Sequence, residues 1–167
     1  TLLVCCTRPS SASPPHIVLF LADDLGCEDC SCYGNRDVHT PNLGRLAAQS
    51  IRFENAFAPS PTCTPSRSAI YTGIYPMRNG AHANHSLIND GIRTLPMYLK
   101  DLGYRVVLAG KSHIGPRESF PFEYLENSNI MPPGKHELLW TDLNTAAVDE
   151  LLASHDKSKP LCLLVCS

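Results

Sequence analysis

The chain has no apolar run of the roughly 20 residues a bilayer crossing needs, so no membrane span is expected. It also lacks an excess of charge. Its 14 basic and 16 acidic residues leave a net charge of −2, which argues against nucleic acid as a partner. No methionine opens it. Leu2-Leu3-Val4-Cys5-Cys6 and then Ser11-Ala12-Ser13 follow the order of an apolar signal core and a small-residue cleavage region, so residues 1–15 are expected to be the remnant of a secretory leader. A bacterial lipoprotein site fits less well, because Val4 precedes Cys5 where a small residue is wanted.

At 167 residues the chain can bury one sizeable core, about 70% of its unfolded surface. Eight cysteines are many for a cytosolic protein of this size, and with the leader they point to export. That means the lysosome or secretion in a eukaryote, and the periplasm or the medium in a bacterium. Cysteine pairing and oligomeric state are not legible in the sequence. Cys27-x-x-Cys30-x-Cys32 is crowded and has no evident fourth ligand, which favours disulfides or inert thiols over zinc. Asn84-His85-Ser86 is a glycosylation sequon, with meaning only in a eukaryotic host and at an exposed site.

The organising stretch is residues 59–73, Pro-Ser-Pro-Thr-Cys-Thr-Pro-Ser-Arg-Ser-Ala-Ile-Tyr-Thr-Gly. Cys63 stands just before Thr64-Pro65, and proline suits the first turn of a helix, where its missing N–H costs nothing. The thiol is therefore expected at a helix N-terminus, where outward N–H groups and the macrodipole lower a thiol pKa and welcome an anion. Arg67 follows at i+4, on the same helical face as Cys63. Thr72-Gly73 supplies the stop. In isolation this pattern fits equally a small buried cysteine followed by a solvated arginine.

Before it, residues 17–22 form an unalternating apolar run suited to a strand buried on both faces of a parallel sheet. That strand ends in Asp23-Asp24, two adjacent carboxylates that repel each other unless a cation holds them, and hard oxygen ligands suit Ca²⁺ or Mg²⁺. In open α/β sheets ligands gather at the carboxyl ends of strands, where this pair falls. The alternative is a helix-capping Asp beside a solvated one. Thr40-Pro41 opens a helix with Leu43, Leu46 and Ala47 as its apolar stripe, and residues 51–58 alternate as a strand. Residues 74–93, rich in Asn, His and Gly, are expected as an irregular surface segment lining a cleft.

A helix over 94–102 stops at Gly103, and a strand over 104–109 empties into Gly110-Lys111-Ser112-His113. An extended backbone there would project Lys111 and His113 to one side. Residues 118–135 lack a period and are expected as loop. Thr141-Asp142 is expected to cap an amphipathic helix with Leu143, Ala147, Leu151 and Leu152 on one face. The run 159–166 is a last buried strand. Alternating strands and helices predict an α/β sandwich with a largely parallel central sheet.

Cys63-x-Pro65-x-Arg67 with Thr72-Gly73 resembles the signature of the type I sulfatases, and Gly103-Tyr104 followed by Gly110-Lys111-x-His113 resembles their second signature. Asp23-Asp24 and Thr40-Pro41-Asn42-Leu43 match further family segments. Gly26-Cys27-Glu28 departs from the common Gly-Tyr-Gly continuation, and Val106 stands where Ser or Thr is commoner. The likeness runs from about His16 to the end of the chain, so residues 16–167 are expected to be the N-terminal portion of an alkaline-phosphatase-like sulfatase domain.

The resemblance implies that Cys63 is oxidised to formylglycine by a formylglycine-generating enzyme, and that the hydrated aldehyde is the nucleophile. It implies Asp23, Asp24 and the residue at 63 as ligands of a divalent ion, usually calcium. Arg67 would hold the hydrate, and Lys111 and His113 would bind the sulfate of a sulfated glycan or another sulfate ester. Further metal ligands and a second His acid lie beyond these residues in the family, so this stretch is not expected to turn over by itself. Gly110-Lys111-Ser112-His113-Ile114-Gly115-Pro116 with Pro121-Phe122 is similar to the heparan N-sulfatase group, which implies N-sulfoglucosamine as a substrate. A phosphodiester or phosphonate hydrolase of the same superfamily, or a sulfated-glycan-binding piece without turnover, are the alternatives.

Overall fold

The computed structural model describes residues 14–130 and 142–167. The leader over residues 1–13, the far end of the expected loop over 118–135 and the capping Thr141 lie outside the described residues. The described strands, in chain order, are β1 (Ile17–Leu21), β2 (Arg105–Gly110), β3 (Glu123–Tyr124), β4 (Asn129–Ile130), β5 (Asp142–Leu143) and β6 (Leu161–Cys166). Four of them form one sheet in the order β1-β6-β2-β3, and every pairing in it is parallel. β4 and β5 make a separate antiparallel ribbon. The helices are α1 (Pro41–Ala47), α2 (Cys63–Thr72), α3 (Pro76–Asn79), α4 (Leu95–Asp101) and α5 (Thr145–Ser154). The expected α/β architecture with its parallel sheet is present.

Apolar residues from Val106 to Ala109 in β2 and throughout β6 let these strands bury both faces, and side chains alternate between them. Val106, Leu108, Cys162 and Leu164 point into one core with Tyr71 of α2, Phe120 and Phe122, flanked by Leu95 and Leu99 of α4. Val107, Ala109, Leu161, Leu163 and Val165 point into the other, under Leu151 and Val148 of α5. Each buried valine, leucine or phenylalanine among them contributes about 1.5–3 kcal/mol by leaving water, so the sheet centre is the most strongly held part of the described residues.

β1 is not buried on both faces as its composition predicts. Leu19 and Leu21 pack on the core, but Val18 and Phe20 are 67% and 59% exposed. Apolarity along a strand reports tolerance of burial, and among the described residues no helix covers the outer face of this edge. The strand expected over 51–58 does not form. Ile51 and Phe57 are 84% and 88% exposed, the Phe53 carbonyl accepts from Tyr33 Oη at 2.9 Å, and Arg52 Nε donates to Glu54 at 3.1 Å. Alternation needs a neighbouring strand to become a ladder, and no described strand pairs here. Leu43 and Leu46 of α1 are likewise exposed, so the stripe expected on that helix has no core to meet among the described residues.

α5 starts at Thr145 behind Asn144, because Asp142 and Leu143 are taken by β5; its buried residue is Leu151, while Leu152 is exposed. Residues 74–93 are only partly a surface segment. Asn79 is fully buried, donating from Nδ2 to Ser68 Oγ and the Ile74 carbonyl, both at 3.1 Å, and accepting at Oδ1 from Ala81 N–H at 2.8 Å. One amide thus replaces the backbone partners that a turn this tight cannot provide. Among the described residues no helix is long and apolar enough to cross a membrane.

Gly110 closes β2 at φ +87°, and a Cβ there would lie 1.9 Å from the Cys166 carbonyl oxygen. Gly103 also has a left-handed φ, +84°, but open space around it. Gly103→Ala is therefore expected to cost about 1 kcal/mol, the penalty of the backbone conformation alone. Gly110→Ala adds a backbone collision and is expected to cost at least about 3 kcal/mol. Urea unfolding of both variants checks the ranking, and equal losses would contradict it.

Candidate active site

Parallel pairing puts the carboxyl ends of β1, β6 and β2 on one edge of the sheet. Asp23 N–H donates to the Ser167 carbonyl at 2.9 Å, and Lys111 N–H donates to the Cys166 carbonyl at 3.0 Å, so both segments are pinned to the end of β6. Asp23 and Lys111 are then separated by one intervening strand, about 10 Å at the usual spacing. A lysine side chain covers most of that distance, and Lys111 Nζ forms an ion pair with Asp23 Oδ2.

The third contributor is α2, whose first residue is Cys63, with Pro65 in its first turn. Its end is set by Gly73 in the left-handed conformation at φ +68°. Cys63 Sγ lies 3.5 Å from Asp23 Oδ1 and 3.6 Å from Lys111 Nζ. Arg67, one turn along, is 5% exposed in its side chain; its Nη2 donates to Asp23 Oδ1 at 3.1 Å and its Nη1 to the Lys111 carbonyl at 2.9 Å. The guanidinium fork that the sequence aims at an anion beside Cys63 is thus occupied by Asp23 and by the backbone of the β2 loop.

Asp23 shows how these forces compare. Burial alone would raise its pKa, but hydrogen bonds and charge from Lys111 and Arg67 outweigh burial and hold the carboxyl below its usual range. Arg67 mirrors it: burial works against its charge, and the bond to Asp23 keeps it above the ordinary arginine range. Asp24 is exposed and adopts φ +52°. Donor atoms of Asp23, Asp24 and Cys63 all lie within 4.8 Å of one another, and they are the one group of three or more Asp, Glu, His or Cys side chains so arranged among the described residues. Two carboxylates on one point fit a hard divalent cation. The cysteines at 27, 30 and 32 form no such group: Cys27 Sγ faces Glu28, and Cys30 Sγ faces the Gly26 carbonyl. All cysteines among the described residues are free thiols.

His113 joins the cluster by a different route from the one expected. Its φ of +44° breaks the extended backbone, and its Nε2 lies 3.0 Å from His85 Nδ1. Burial first, then the charges of Lys111, His85 and Arg67, push its pKa below that of an ordinary histidine, against a smaller pull from Asp23. All six residues expected at the site, Asp23, Asp24, Cys63, Arg67, Lys111 and His113, therefore belong to one region. Two others lie beside them, Asn84 and His85, which the sequence marks as part of a glycosylation sequon and not as members of the site. Asn84 Oδ1 accepts from Thr64 N–H at 3.2 Å, and Thr64 Oγ1 accepts from His85 N–H at 3.1 Å. The signal that could have placed them here was the Asn- and His-rich composition of a segment expected to line a cleft.

The sulfatase family model matches residues 15–164. An ulvan-active sulfatase of Formosa agariphila is 46% identical over 109 residues, covering 65% of this chain and 22% of that protein. Human N-sulphoglucosamine sulphohydrolase is 35% identical over 133 residues, covering 75% and 26%. An N-acetylglucosamine-6-O-sulfatase of Bacteroides thetaiotaomicron is 32% identical over 178 residues, covering 97% and 32%. The chain thus spans a fifth to a third of the length of these relatives. Among solved structures, a protein in complex with its substrate D-glucosamine-2-N,6-O-disulfate superposes with a TM-score of 0.74 at 28% identity, over 92% of this chain and 34% of that one. A phosphonate monoester hydrolase of Agrobacterium radiobacter, at 18% identity and a TM-score of 0.66 over 92% of this chain and 40% of that one, shares the fold alone. With the family model running from residue 15 to residue 164 and relatives at 35% and 32% identity covering 75% and 97% of its length, the chain belongs to the sulfatase family.

Proposed function

We propose that this chain supplies the nucleophile, part of the metal site and the sulfate-binding donors of a hydrolase acting on sulfated glycans. The observation that carries this reading is the meeting of Cys63 Sγ with Asp23 and Lys111 at 3.5 and 3.6 Å, at the start of a helix whose Arg67 braces the same carboxylate. Cys63, oxidised to formylglycine by a maturation enzyme that uses an external oxidant, offers as its hydrate one hydroxyl to attack sulfur while the S–N or S–O bond to the sugar breaks and the amine or alcohol leaves with a proton; the second hydroxyl then gives up its proton, expels sulfate and restores the aldehyde. Lys111 and His113 face the sulfate oxygens and offset the charge that grows on them, and Arg67 holds Asp23 and the hydrate in place. Asp23, Asp24 and the residue at 63 would hold a divalent cation, Ca²⁺ or else Mg²⁺. When bound, that ion lowers the pKa of a coordinated hydroxyl and polarises it. An N-sulfated glucosamine is the favoured substrate. The human relative carries that activity in its name, and the solved complex holds a glucosamine with an N-sulfate. Such an enzyme works outside the cytosol, in a lysosome, a periplasm or the medium.

Mass spectrometry of the tryptic peptide containing Cys63, from a host with the maturation enzyme, is expected to show the side-chain CH2–SH replaced by CHO. An intact thiol there overturns the mechanism. In the complete enzyme, Lys111→Ala is expected to lower kcat/KM for a sulfated glucosamine by about 10²–10³-fold, the loss seen when one donor to a developing oxyanion is removed. Chelation with EDTA is expected to abolish turnover, and added Ca²⁺ or Mg²⁺ to restore it. Faster turnover of an aryl phosphodiester than of an aryl sulfate would favour the phosphonate-type alternative.

A further inference from the structure

Hydrogen-bond direction can be followed from the start of α2 to His113 one atom at a time. A backbone N–H can only donate, so the Asn84 atom that faces Thr64 N at 3.2 Å is the amide oxygen. The other Asn84 atom is therefore the NH2 group, which also can only donate, and it faces His85 Nε2 at 3.4 Å. His85 Nε2 must then accept, which places the proton of a neutral ring on Nδ1. That Nδ1 lies 3.0 Å from His113 Nε2. His113 Nε2 accepts in its turn, and the His113 proton is left on Nδ1. His113 Nδ1 is buried and has no hydrogen-bond partner among the described residues.

We propose that Asn84 and His85 are positioning residues: a relay from the backbone of α2 through their side chains fixes His113 as the Nδ1–H tautomer and reserves that N–H for an oxygen of the bound anion. The opposite tautomer is disfavoured because it would set the His85 Nε2–H against the Asn84 NH2, two donors facing each other. A buried N–H without an acceptor costs about 1–3 kcal/mol, and a ligand oxygen would remove that cost on binding. The nearby charges of Lys111 and Arg67 make an anion the fitting ligand, and they also favour the neutral ring that the relay requires. The backbone is strained to make the contact, with φ +65° at His85 and +44° at His113. Non-glycine residues hold such angles only where their surroundings over-determine them. Here the loop is anchored by His85 N–H to Thr64 Oγ1 at 3.1 Å and by Ile88 N–H to the Gly115 carbonyl at 3.0 Å. The identity of the anion as a sulfate group rests on the function proposed above, but the tautomer does not.

The test is nitrogen NMR of the complete protein selectively labelled with ¹⁵N-histidine, at neutral pH. The expected wild-type signature for His113 is a protonated Nδ1 and a bare Nε2. In His85→Ala, folded as judged by the remaining histidine signals, His113 is expected to move to the Nε2–H form, which free imidazole side chains prefer. Inorganic sulfate is expected to shift the wild-type Nδ1–H resonance and to bind His85→Ala about 10-fold more weakly, the loss of one charge-assisted hydrogen bond. A wild-type His113 that carries its proton on Nε2, or on both nitrogens, overturns the relay even if the variant fails to fold. So does a tautomer unchanged in His85→Ala. A correct tautomer in an enzyme that retains its Cys63 thiol would leave the relay standing and remove the sulfatase mechanism instead.

Discussion

A carboxylate placed between a buried guanidinium and an ammonium holds this site together. Asp23 is 24% exposed in its side chain and takes Arg67 on one oxygen and Lys111 on the other. Each contact joins a different element to the end of β1: α2 through Arg67, and the loop after β2 through Lys111. Arg67 also donates to the Lys111 carbonyl at 2.9 Å, so the two cations are fixed relative to each other as well as to the anion. Removing Asp23 would leave two cations without their shared counter-charge, one of them buried, and that cost, rather than the net worth of a surface ion pair, keeps the three segments in register.

That arrangement is possible because the sheet is parallel and its central strand is β6. A parallel sheet delivers every strand's carboxyl end to one edge, and β6 sits between β1 and β2 with its backbone accepting from Asp23 and Lys111. Gly110 lets β2 pass so close to the Cys166 carbonyl that no side chain fits between them. The apolar alternation of β2 and β6 anchors this edge from below, so the charged groups rest on the best-packed part of the molecule. Chemistry at a strand end and packing along the strand are therefore two consequences of one topology.

What could be read from the sequence follows from the same division. β2, β6, α2 and α4 were legible because each carries its own signal: continuous apolar runs, a proline in a first turn, a glycine at a stop. The six site residues were legible because they follow β1, open α2 and follow β2, and because the motifs around them resemble the sulfatase signatures. Strand β1 misled because its composition describes what the strand tolerates and not what covers it. Residues 51–58 misled because alternation is half of a strand and the partner is the other half. The start of α5 was misplaced because Asp142 and Leu143 pair with β4, a contact no local pattern announces. Asn84 and His85 were not read as members of the site for a similar reason: their partners, Thr64 and His113, lie 20 and 28 residues away, and only the fold brings them together.

Backbone strain is distributed in a way that supports this picture. Four non-glycine residues have left-handed φ among the described residues, Asp24, His85, His113 and Asn127, and the first three belong to the site. Each such angle costs about 1–3 kcal/mol, too much to persist unless neighbouring bonds enforce it. At Asp24 the enforcement comes from Asp23, whose N–H is tied to Ser167 and whose carboxylate is tied to Arg67 and Lys111. At His85 it comes from the bonds to Thr64 and His113. Asp24 stands beside Cys63 in a group of three donor atoms, and His85 and His113 meet each other across two loops. Strain of this kind points a side chain where an unstrained turn would not. Three of the four such angles among the described residues fall in this one region, which sets it apart from charges that merely pair on a surface.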